Sequence, residues 1–411
     1  MSDRSAHGPT QPLVSVARGE GPYANTRRAL ERIDLSAARG RRVLLKPNVG
    51  RVAAAGSGIV AHPQVVAAAI DAFREAGADV AVGESPIVGV AMREAYEAAG
   101  YDAVAAARRC PLLDMDRRPF VEIELPDGQA IRSLKVCADV LESDFVVSIP
   151  VMKMHMHTGV TLAVKNMKGC LWRRSKVELH MLPPVPQGPT KSLDVAIADM
   201  ASALRPRLAI VDGTVGMEGL GPSAGRPKPL DAVVVGDDAF AADAVACQLM
   251  GVDAANIPHL RLGADRGYGV IELGRIAVVP DDWRDAASAF APPPDSLTIE
   301  FPNITVLDAN SCSACQSTLL LFLTRYKDRI FDYFPAREKV HVAIGKGHAQ
   351  VPDGALLVGN CTACHRARGV FVPGCPPVGS QILAALAAGL LPVAAEDQNP
   401  KGEHSELAGE S

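Results

Sequence analysis

The sequence predicts an α/β protein whose main domain is a mostly parallel sheet of βαβ units, followed by a small cysteine-rich α/β unit. Two observations support this fold class. Through the first 280 residues, short apolar runs rich in β-branched residues alternate with amphipathic helical stretches, the pattern of parallel strands joined by crossover helices. Five of the nine cysteines lie between residues 312 and 375, so the end of the chain has a different chemistry.

The first βαβ unit occupies residues 42–85. An apolar run at 42–45 predicts a buried strand, and His62 and Pro63 open a helix whose apolar residues recur every 3.6 positions until Gly77. A second strand follows at 79–83. A strand, a helix and a strand at this spacing predict a Rossmann-like unit with two parallel strands.

The other elements follow from the same signals. Pro126, Asp127 and Gly128 lie between two alternating stretches, which predicts an antiparallel hairpin. Strands are predicted at 145–149, 207–211 and 231–235, with helices at 90–99, 191–204 and from 237 to 250. The proline-rich segment 180–189 is interpreted as a mobile cover or an interface.

Composition predicts the domain boundaries. Residues 13–280 form the main domain, an Ala- and Pro-rich linker spans 281–300, and residues 301–394 form the C-terminal unit with strands at 341–344 and 355–358 and helices at 316–327 and 378–390. Residues 1–12 and 395–411 are polar and are expected to be loose tails.

A basic stretch follows the strand at 145–149, where Pro150 is expected to end that strand. No Asp or Glu occurs between Asp144 and Glu178, although the chain as a whole has a net charge of −4. Cations and amides past a parallel strand suit a small anionic molecule, and the alternative is a solvated basic loop. Lys153, His155 and His157 are the candidate catalytic residues, and Thr158, Lys165, Asn166 and Lys168 the candidate binding residues.

Three further pairs of polar residues follow predicted strands and are expected to converge with the basic stretch at one edge of the sheet. They are Lys46 and Asn48, Glu84 and Ser85, and Asp212 and Glu218, the last pair lying in a glycine-rich loop. Asp237, Asp238 and Asp243 are interpreted as capping the helix that follows them.

The clustered cysteines predict a metal or redox site. Cys312 and Cys315 form one CxxC pair and Cys361 and Cys364 another, and Cys375 lies in a turn between glycine and proline. A 4Fe–4S cluster held by Cys312, Cys315, Cys361 and Cys375, with Cys364 as the alternate, accounts for the clustering best. A structural zinc site, a catalytic dithiol and a c-type haem at Cys361–His365 are the alternatives. Cys110, Cys137 and Cys247 are interpreted as packing thiols.

Ordered motifs over residues 40–255 are similar to a known family. LLKPNVG, HPQVVAAAIDAFREAGADVAVGESP, IPVMKMHMHTGVTLAVKNMKGC, IVDGTVGMEGLGP and VVVGDDAFAADAVACQLMG resemble the domain of unknown function numbered 362. The resemblance implies an iron–sulfur protein with an added cysteine-rich segment. The GNC and PGCPP motifs differ from the eight-cysteine ferredoxin pattern, so one cluster is implied rather than two.

Composition narrows the function. An aromatic content of 4% and a pI of about 6.2 disfavour nucleic-acid binding, and the absence of a long apolar run or an apolar leader predicts a cytoplasmic protein without a membrane span. The leading hypothesis is an iron–sulfur oxidoreductase acting on a small anion in a basic cleft. The alternatives are a non-redox lyase or isomerase that uses the cluster as a Lewis acid, and an electron-transfer or binding module whose basic stretch docks an acidic redox partner protein.

Overall fold

The computed structural model describes residues 11–183, 185, 190–293, 301–334 and 339–389. The two predicted tails lie outside the described residues, except for Gln11 and Pro12. Residues 184 and 186–189 of the proline-rich segment and residues 294–300 of the predicted linker lie outside them as well.

The main domain contains twelve strands and ten α-helices among the described residues. The strands are β1 (Leu13–Arg18), β2 (Arg42–Pro47), β3 (Asp79–Glu84), β4 (Leu112–Asp114), β5 (Phe120–Glu124), β6 (Ser133–Cys137), β7 (Phe145–Ile149), β8 (Val151–His155), β9 (Gly159–Thr161), β10 (Leu208–Glu218), β11 (Arg226–Gly236) and β12 (Ala277–Val279). The helices are α1 (Gly21–Leu30), α2 (Pro63–Glu75), α3 (Met92–Ala99), α4 (Tyr101–Arg108), α5 (Ala138–Glu142), α6 (Ala163–Asn166), α7 (Ser175–Glu178), α8 (Ser192–Ala201), α9 (Ala239–Leu249) and α10 (Pro258–Asp265). Short 3₁₀ helices occur at Ser36–Ala38, Met115–Arg117, Met167–Cys170, Ala254–Asn256, Leu273–Arg275 and Trp283–Ala286.

Ten of these strands form one mixed sheet with the order β12-β1-β11-β10-β7-β2-β3-β4, and β8 pairs with both β10 and β9. The predicted parallel pairing of β2 with β3 is confirmed, and β7 and β10 belong to the same sheet. The predicted antiparallel hairpin is confirmed as β5 and β6. The fold is therefore α/β with a mostly parallel sheet, as the sequence predicts.

One prediction in the second half of this sheet is confirmed and one is wrong. The strand predicted at 231–235 is present as part of β11, which runs antiparallel to both β10 and β1. The predicted glycine-rich loop after residue 211 continues as β10 to Glu218. Its glycines permit close packing instead, because a Cβ on Gly216 would lie 2.5 Å from the Met152 carbonyl oxygen and 2.7 Å from the Phe290 ring.

Each face of the sheet is covered by helices. Helix α2 buries Val65, Ile70 and Phe73 on one face, and α9 buries Phe240 and Val245 on the other. The apolar period of α2 gives the helix a face that packs on the sheet. A proline is favourable at the first helical position, so the helix begins at Pro63, as the sequence predicts.

The C-terminal unit is a second parallel sheet with its own core. Strands β13 (Ile304–Asp308), β14 (Val340–Ile344), β15 (Ala355–Val358) and β16 (Gly369–Val372) pair in that order, all parallel. Helices α11 (Ser313–Tyr326) and α12 (Gly379–Gly389) accompany them, with 3₁₀ helices at Ile330–Tyr333 and Asn360–Arg368. The strands and helices predicted for this segment are present, and β13 and β16 add to them.

The main domain and the C-terminal unit contact each other through a small apolar cluster. Met156 and Ala224 of the main domain pack with Leu320 of α11. Within the predicted linker, Trp283 and Phe290 are buried in the core of the main domain, so residues 281–290 belong to the packing of that domain. Within the described ranges, we find no helix with the length and apolar character needed to cross a bilayer.

Candidate functional site

A cavity of about 190 Å³ lies between the carboxyl end of the main sheet and the C-terminal unit. Its ionisable lining consists of Lys46, Arg51, Glu84, Lys153, Lys165, Lys168 and Lys176, together with His155 and His180. Lys46 and Glu84 lie at the carboxyl ends of the parallel strands β2 and β3, the edge at which α/β sheets bind ligands. Six lysine and arginine side chains therefore face a single carboxylate among the described lining residues.

That carboxylate is already engaged by one of the lysines. The Nζ atom of Lys46 lies 2.8 Å from Glu84 Oε2 and 2.9 Å from Asn166 Oδ1, and Asn166 Nδ2 donates in turn to the Lys46 carbonyl oxygen. Burial raises the pKa of Glu84, and the Lys46 ammonium opposes that shift. A side chain at Gly169 would collide with both charged groups, so a glycine is required where this loop crosses the ion pair.

Three other lysines of the cavity have neutral partners. Lys153 on β8 donates to the Ile59 carbonyl oxygen at 2.7 Å, and Lys165 on α6 donates to Thr161 Oγ1 at 3.2 Å. Burial lowers the pKa of Lys165 to about 7, and burial followed by repulsion from Lys165 holds the pKa of Lys153 well below its ordinary value. Lys168 contacts His180, and burial likewise lowers its pKa. The Lys165 amine can therefore gain or lose a proton near neutral pH.

His155 supplies an imidazole at the cavity wall. Its Nδ1 accepts the backbone N–H of His157 at 3.1 Å, so the neutral ring carries its proton on Nε2. Burial, and then the positive charge of Lys165, holds the pKa of His155 well below its ordinary value. His155 is therefore a neutral hydrogen-bond donor in the absence of an anion.

The short helix that carries Lys165 and Asn166 is held by Asp243. This carboxylate accepts the N–H groups of Ala163 at 2.7 Å and Val164 at 2.9 Å. The predicted capping of its own helix is confirmed for Asp238, which accepts from Phe240 at 2.7 Å. Asp243 instead caps α6, and burial raises its pKa to about 8.

Asn48 and Ser85 complete the polar wall that the sequence predicted. The Oδ1 atom of Asn48 is buried without a hydrogen-bond partner among the described residues, so it is available to a donor on a bound molecule. Ser85 donates to Asp116 at 2.6 Å, and Lys176 bonds to both residues. Ser85 and Lys176 thus form a second, internally paired polar group on the wall.

Four predicted site residues are not among the described residues that line the cavity. Asp212 is inside β10, where it accepts the N–H groups of His62 and Thr214, and Glu218 pairs with Arg226. The prediction that Asp212 and Glu218 converge with the basic stretch is therefore wrong, because β10 continues where a loop was expected. His157 lies behind His155, and Thr158 Oγ1 donates to the Val160 carbonyl oxygen within the β8–β9 turn.

Sequence reasoning missed Arg51, Lys176 and His180 as members of the site. Burial, and then the nearby Arg325 guanidinium, lowers the pKa of Arg51 to about 10. His180 lies in the proline-rich segment, and burial followed by repulsion from Lys168 lowers its pKa. The acid-free stretch between Asp144 and Glu178 includes Lys176 and was a signal for that residue, whereas Arg51 and His180 lie outside it.

The predicted cysteine ligands face one another at the carboxyl edge of the C-terminal sheet. Cys312 and Cys315 lie at the start of α11, Cys361 follows β15 and Cys375 follows β16. A hydrogen bond from the Cys315 thiol, with backbone N–H groups, lowers the pKa of Cys312 to about 6. Burial, and then the negative charges of Cys375 and Cys312, raises the pKa of Cys361. The hydrogen bond to Cys312, then burial and the charges of the other three thiols, raises the pKa of Cys315, so the four thiols are electrostatic neighbours.

The donor set of this cysteine group (Cys312, Cys315, Cys361 and Cys375) fits a thiolate-bound metal centre in its chemistry. Within the ranges that the structure describes, however, no three His, Cys, Asp or Glu side chains are arranged closely enough to hold a metal ion. Cys364 is exposed within the 3₁₀ helix at Asn360–Arg368. Gly359, with φ +94°, leaves the space beside Cys315, because a Cβ there would lie 3.3 Å from its Sγ.

The cavity and the cysteine group share a wall. Ala314, Ser317 and Thr318 of α11 line the cavity, and they belong to the same first turns of the helix as Cys312 and Cys315. Pro376, the neighbour of Cys375, lines it too. The C-terminal unit therefore covers the cavity with the segments that carry its cysteines.

Comparisons with known proteins concern mainly the first domain. Residues 43–248 match the family model described as "Domain of unknown function (DUF362)". The thylakoid-associated protein sll1697 of Synechocystis sp. is 30% identical over 221 residues, which cover 54% of this chain and 66% of that protein, just under two thirds of its length. The lactate racemase apoprotein from Thermoanaerobacterium thermosaccharolyticum is 14% identical with a TM-score of 0.40, covering 60% of this chain and 58% of that one, a likeness too distant to bear on function. Because the family model spans half of the sequence, the chain belongs to the DUF362 family.

Proposed function

We propose that this protein is an iron–sulfur enzyme that carries out a redox reaction on a small anionic substrate bound in the cavity. The wall shared by the cavity and the cysteine group is the observation that carries the proposal, because it would bring an electron-transferring centre next to the bound substrate. The proposal includes a reducing, cytoplasmic compartment, in keeping with nine free cysteines.

The cysteine group would hold the cluster, with Cys312, Cys315, Cys361 and Cys375 as ligands and Cys364 as the alternate. When bound, a 4Fe–4S cluster supplies one-electron transfer at a potential set by its surroundings. The lowered pKa of Cys312 favours the thiolate that metal binding requires. A structural zinc ion would use the same thiolates, so metal identity has to be measured.

The cavity residues would bind and orient the substrate. Lys153, Lys165 and Lys168 offer ammonium groups to its anionic oxygens, and the Lys46–Glu84 pair fixes the floor of the cavity. His155 would donate the proton on its Nε2 to the reacting oxygen, since its Nδ1 is already used by the backbone. The C-terminal unit would exclude water from the bound molecule.

The burial of the basic stretch argues against its use as a docking surface for an acidic partner protein. Lys153 is 3% exposed and Lys165 is 8% exposed, so neither can reach a protein surface placed against the outside of the molecule. A partner that exchanges electrons would have to approach the exposed side of the cysteine group, at Cys361.

Anaerobic purification followed by iron, acid-labile sulfide and zinc analysis tests the proposal. We expect iron and sulfide in equal amounts, a visible absorbance that dithionite bleaches, and an electron paramagnetic resonance signal in the reduced protein. Cys312→Ser should abolish the cluster, whereas Cys247→Ala, at a buried thiol remote from the group, should leave it intact. A colourless protein that contains zinc would overturn the redox assignment.

The same cysteine series separates a redox enzyme from a non-redox lyase or isomerase. A Lewis-acid role needs an open iron site and therefore three cysteine ligands. If all four single Ser substitutions lose cluster iron, the lyase alternative fails. If one of the four retains the cluster and its activity, the redox assignment loses its support.

A further inference from the structure

Four cations that line the cavity form no ion pair with a carboxylate among the residues that the structure describes. Among the ion pairs of the described residues, Glu84 is taken by Lys46 at 2.8 Å and Asp116 by Lys176 at 3.2 Å. None of the ion pairs within those ranges includes any of the remaining cations, which are Arg51, Lys153, Lys165 and Lys168. Lys153 and Lys165 are buried, and Arg51 and Lys168 are half-buried. Placing such cations away from water without an ion-pair partner is costly, so this arrangement is adapted to a ligand that brings negative charge.

The number of cations without an ion-pair partner indicates how much negative charge the ligand carries. A single negative charge would leave most of these four cations uncompensated, whereas two or more negative charges would engage them together. Pockets for drug-sized ligands measure roughly 300–1,000 Å³, so the cavity of about 190 Å³ suits a smaller molecule. The Oδ1 atom of Asn48, which has no hydrogen-bond partner among the described residues, adds an acceptor for a donor on the same molecule.

The lysines also respond to the ligand by changing protonation state. With no anion present, burial lowers the pKa of Lys165 to about 7 and that of Lys153 well below its ordinary value. The ionisable groups that face Lys165 from the elements around it are Arg51, Lys153, His155, Lys168, His180, Asp194, Asp243 and His259. Only Asp194 and Asp243 in this set are acidic, and they are engaged by His259 and by backbone N–H groups.

We propose that the cavity binds a small molecule with at least two negative charges and that binding draws protons from solvent onto the cavity lysines. The ligand brings its charges, each neutral amine takes one proton from the buffer, and the ammonium groups formed pair with the anionic oxygens. This inference names the substrate class for the proposed function and rests on it only in treating the cavity as the substrate site.

Isothermal titration calorimetry with sulfate and methanesulfonate tests the charge requirement. These anions have nearly the same shape, and sulfate carries one more charge, which does not change across the neutral range. We expect sulfate to bind at least roughly tenfold more tightly than methanesulfonate. Equal affinities, or no binding of sulfate, would overturn the proposal.

Repeating the sulfate titration in two buffers of different ionisation enthalpy measures the protons taken up. Near pH 8 we expect an uptake of about one proton or more per sulfate, and an affinity that falls about tenfold per pH unit for each proton. Lys165→Gln should remove about one proton of uptake, and Lys339→Gln, at an exposed lysine of the C-terminal unit, should change nothing.

The measurements on the unaltered protein decide the matter even if Lys165→Gln fails to fold. Zero proton uptake with sulfate would refute the inference. Its failure is distinct from that of the proposed function, because a protein without iron can still bind sulfate with protons, and an iron-loaded protein can fail to do so.

Discussion

The two polar regions of this protein occupy equivalent places in two different sheets but differ in burial. The cavity cations lie at the carboxyl edge of the main sheet, where Lys46 is 1% exposed and Lys153 is 3% exposed. The cysteine group lies at the carboxyl edge of the C-terminal sheet, where Cys361 is exposed and Cys312 is half-buried. Topology therefore explains where both groups are, and burial explains why they behave differently before any ligand is bound.

The cavity is held in place by interactions inside the folded main domain, whereas the cysteine group is assembled from three separate segments of the C-terminal unit. Lys46 donates to Glu84 and to Asn166, and the Val49 N–H donates to Glu84 Oε2, so the ion pair is positioned without a ligand. By contrast, the thiols of the cysteine group come from the start of α11, the 3₁₀ helix after β15 and the segment after β16, and they are not arranged to hold a metal within the described residues. We therefore expect substitutions in the cavity to affect folding, and substitutions in the cysteine group to affect metal content.

The largest effect is expected at the Lys46–Glu84 pair. Glu84→Gln leaves the Lys46 ammonium buried without a counter-charge, which should reduce the free energy of unfolding by about 3–5 kcal/mol. Guanidinium denaturation followed by circular dichroism measures this. Glu97→Gln, in the exposed Arg93–Glu97 pair, is the matched control and should cost less than about 1 kcal/mol.

A double change sharpens this test. Lys46→Met combined with Glu84→Gln removes both charges, so it should recover part of the stability lost in Glu84→Gln alone. If Glu84→Gln lowers the free energy of unfolding no more than Glu97→Gln does, this ion pair does not hold the floor of the cavity. The expected difference between substitutions in the cavity and substitutions in the cysteine group would then be wrong.

The second effect is a pH dependence of stability that comes from Lys165. Burial lowers its pKa to about 7 in the folded protein, whereas an unfolded lysine has a pKa of about 10.4. Between these values the unfolded chain binds a proton that the folded protein does not, so the free energy of unfolding rises with pH by about 1.4 kcal/mol per unit. Lys165→Gln should remove this amount from the slope between about pH 8 and 9.

Other groups contribute to the slope of the unaltered protein, and the comparison with the variant cancels them. Burial raises the pKa of Asp243 to about 8, which opposes the Lys165 slope below that pH, and burial raises the pKa of Cys170 to about 12, which opposes it at high pH. Denaturation curves at several pH values for both proteins supply the data. Parallel slopes would show that Lys165 stays charged in the fold.

The parts of the site that sequence reasoning found are those that depend on local signals. Lys46 and Glu84 end short β-branched strands that are set off by Pro47, Ser85 and Pro86, so their position at the sheet edge follows from nearby residues. The absence of acids around Lys153 and Lys165 was likewise visible, although their depth of burial was not. Short stretches of sequence were therefore enough to predict which edge of the sheet is polar.

The site residues that sequence reasoning missed depend on contacts between segments that are far apart in the chain. Arg51 and His180 line the same cavity as Ser317 of α11, so segments from three distant parts of the chain meet there. The glycine-rich sequence of β10 predicts a loop, but in the structure Gly216 leaves room for the Met152 carbonyl and the Phe290 ring, which approach it closely. Residues far apart in the chain supply these constraints, so no window of sequence contains them.

The smallest effect on stability is expected in the cysteine group. Cys361 and Cys364 are both exposed, so replacing either thiol with Ser removes little buried surface and should change the free energy of unfolding of the metal-free protein by less than about 0.5 kcal/mol. Their effects on metal content should differ, because Cys361 is an electrostatic neighbour of Cys312 and Cys375. Iron analysis of the two variants should show loss in Cys361→Ser and retention in Cys364→Ser. The reverse result would make Cys364 the ligand in place of Cys361.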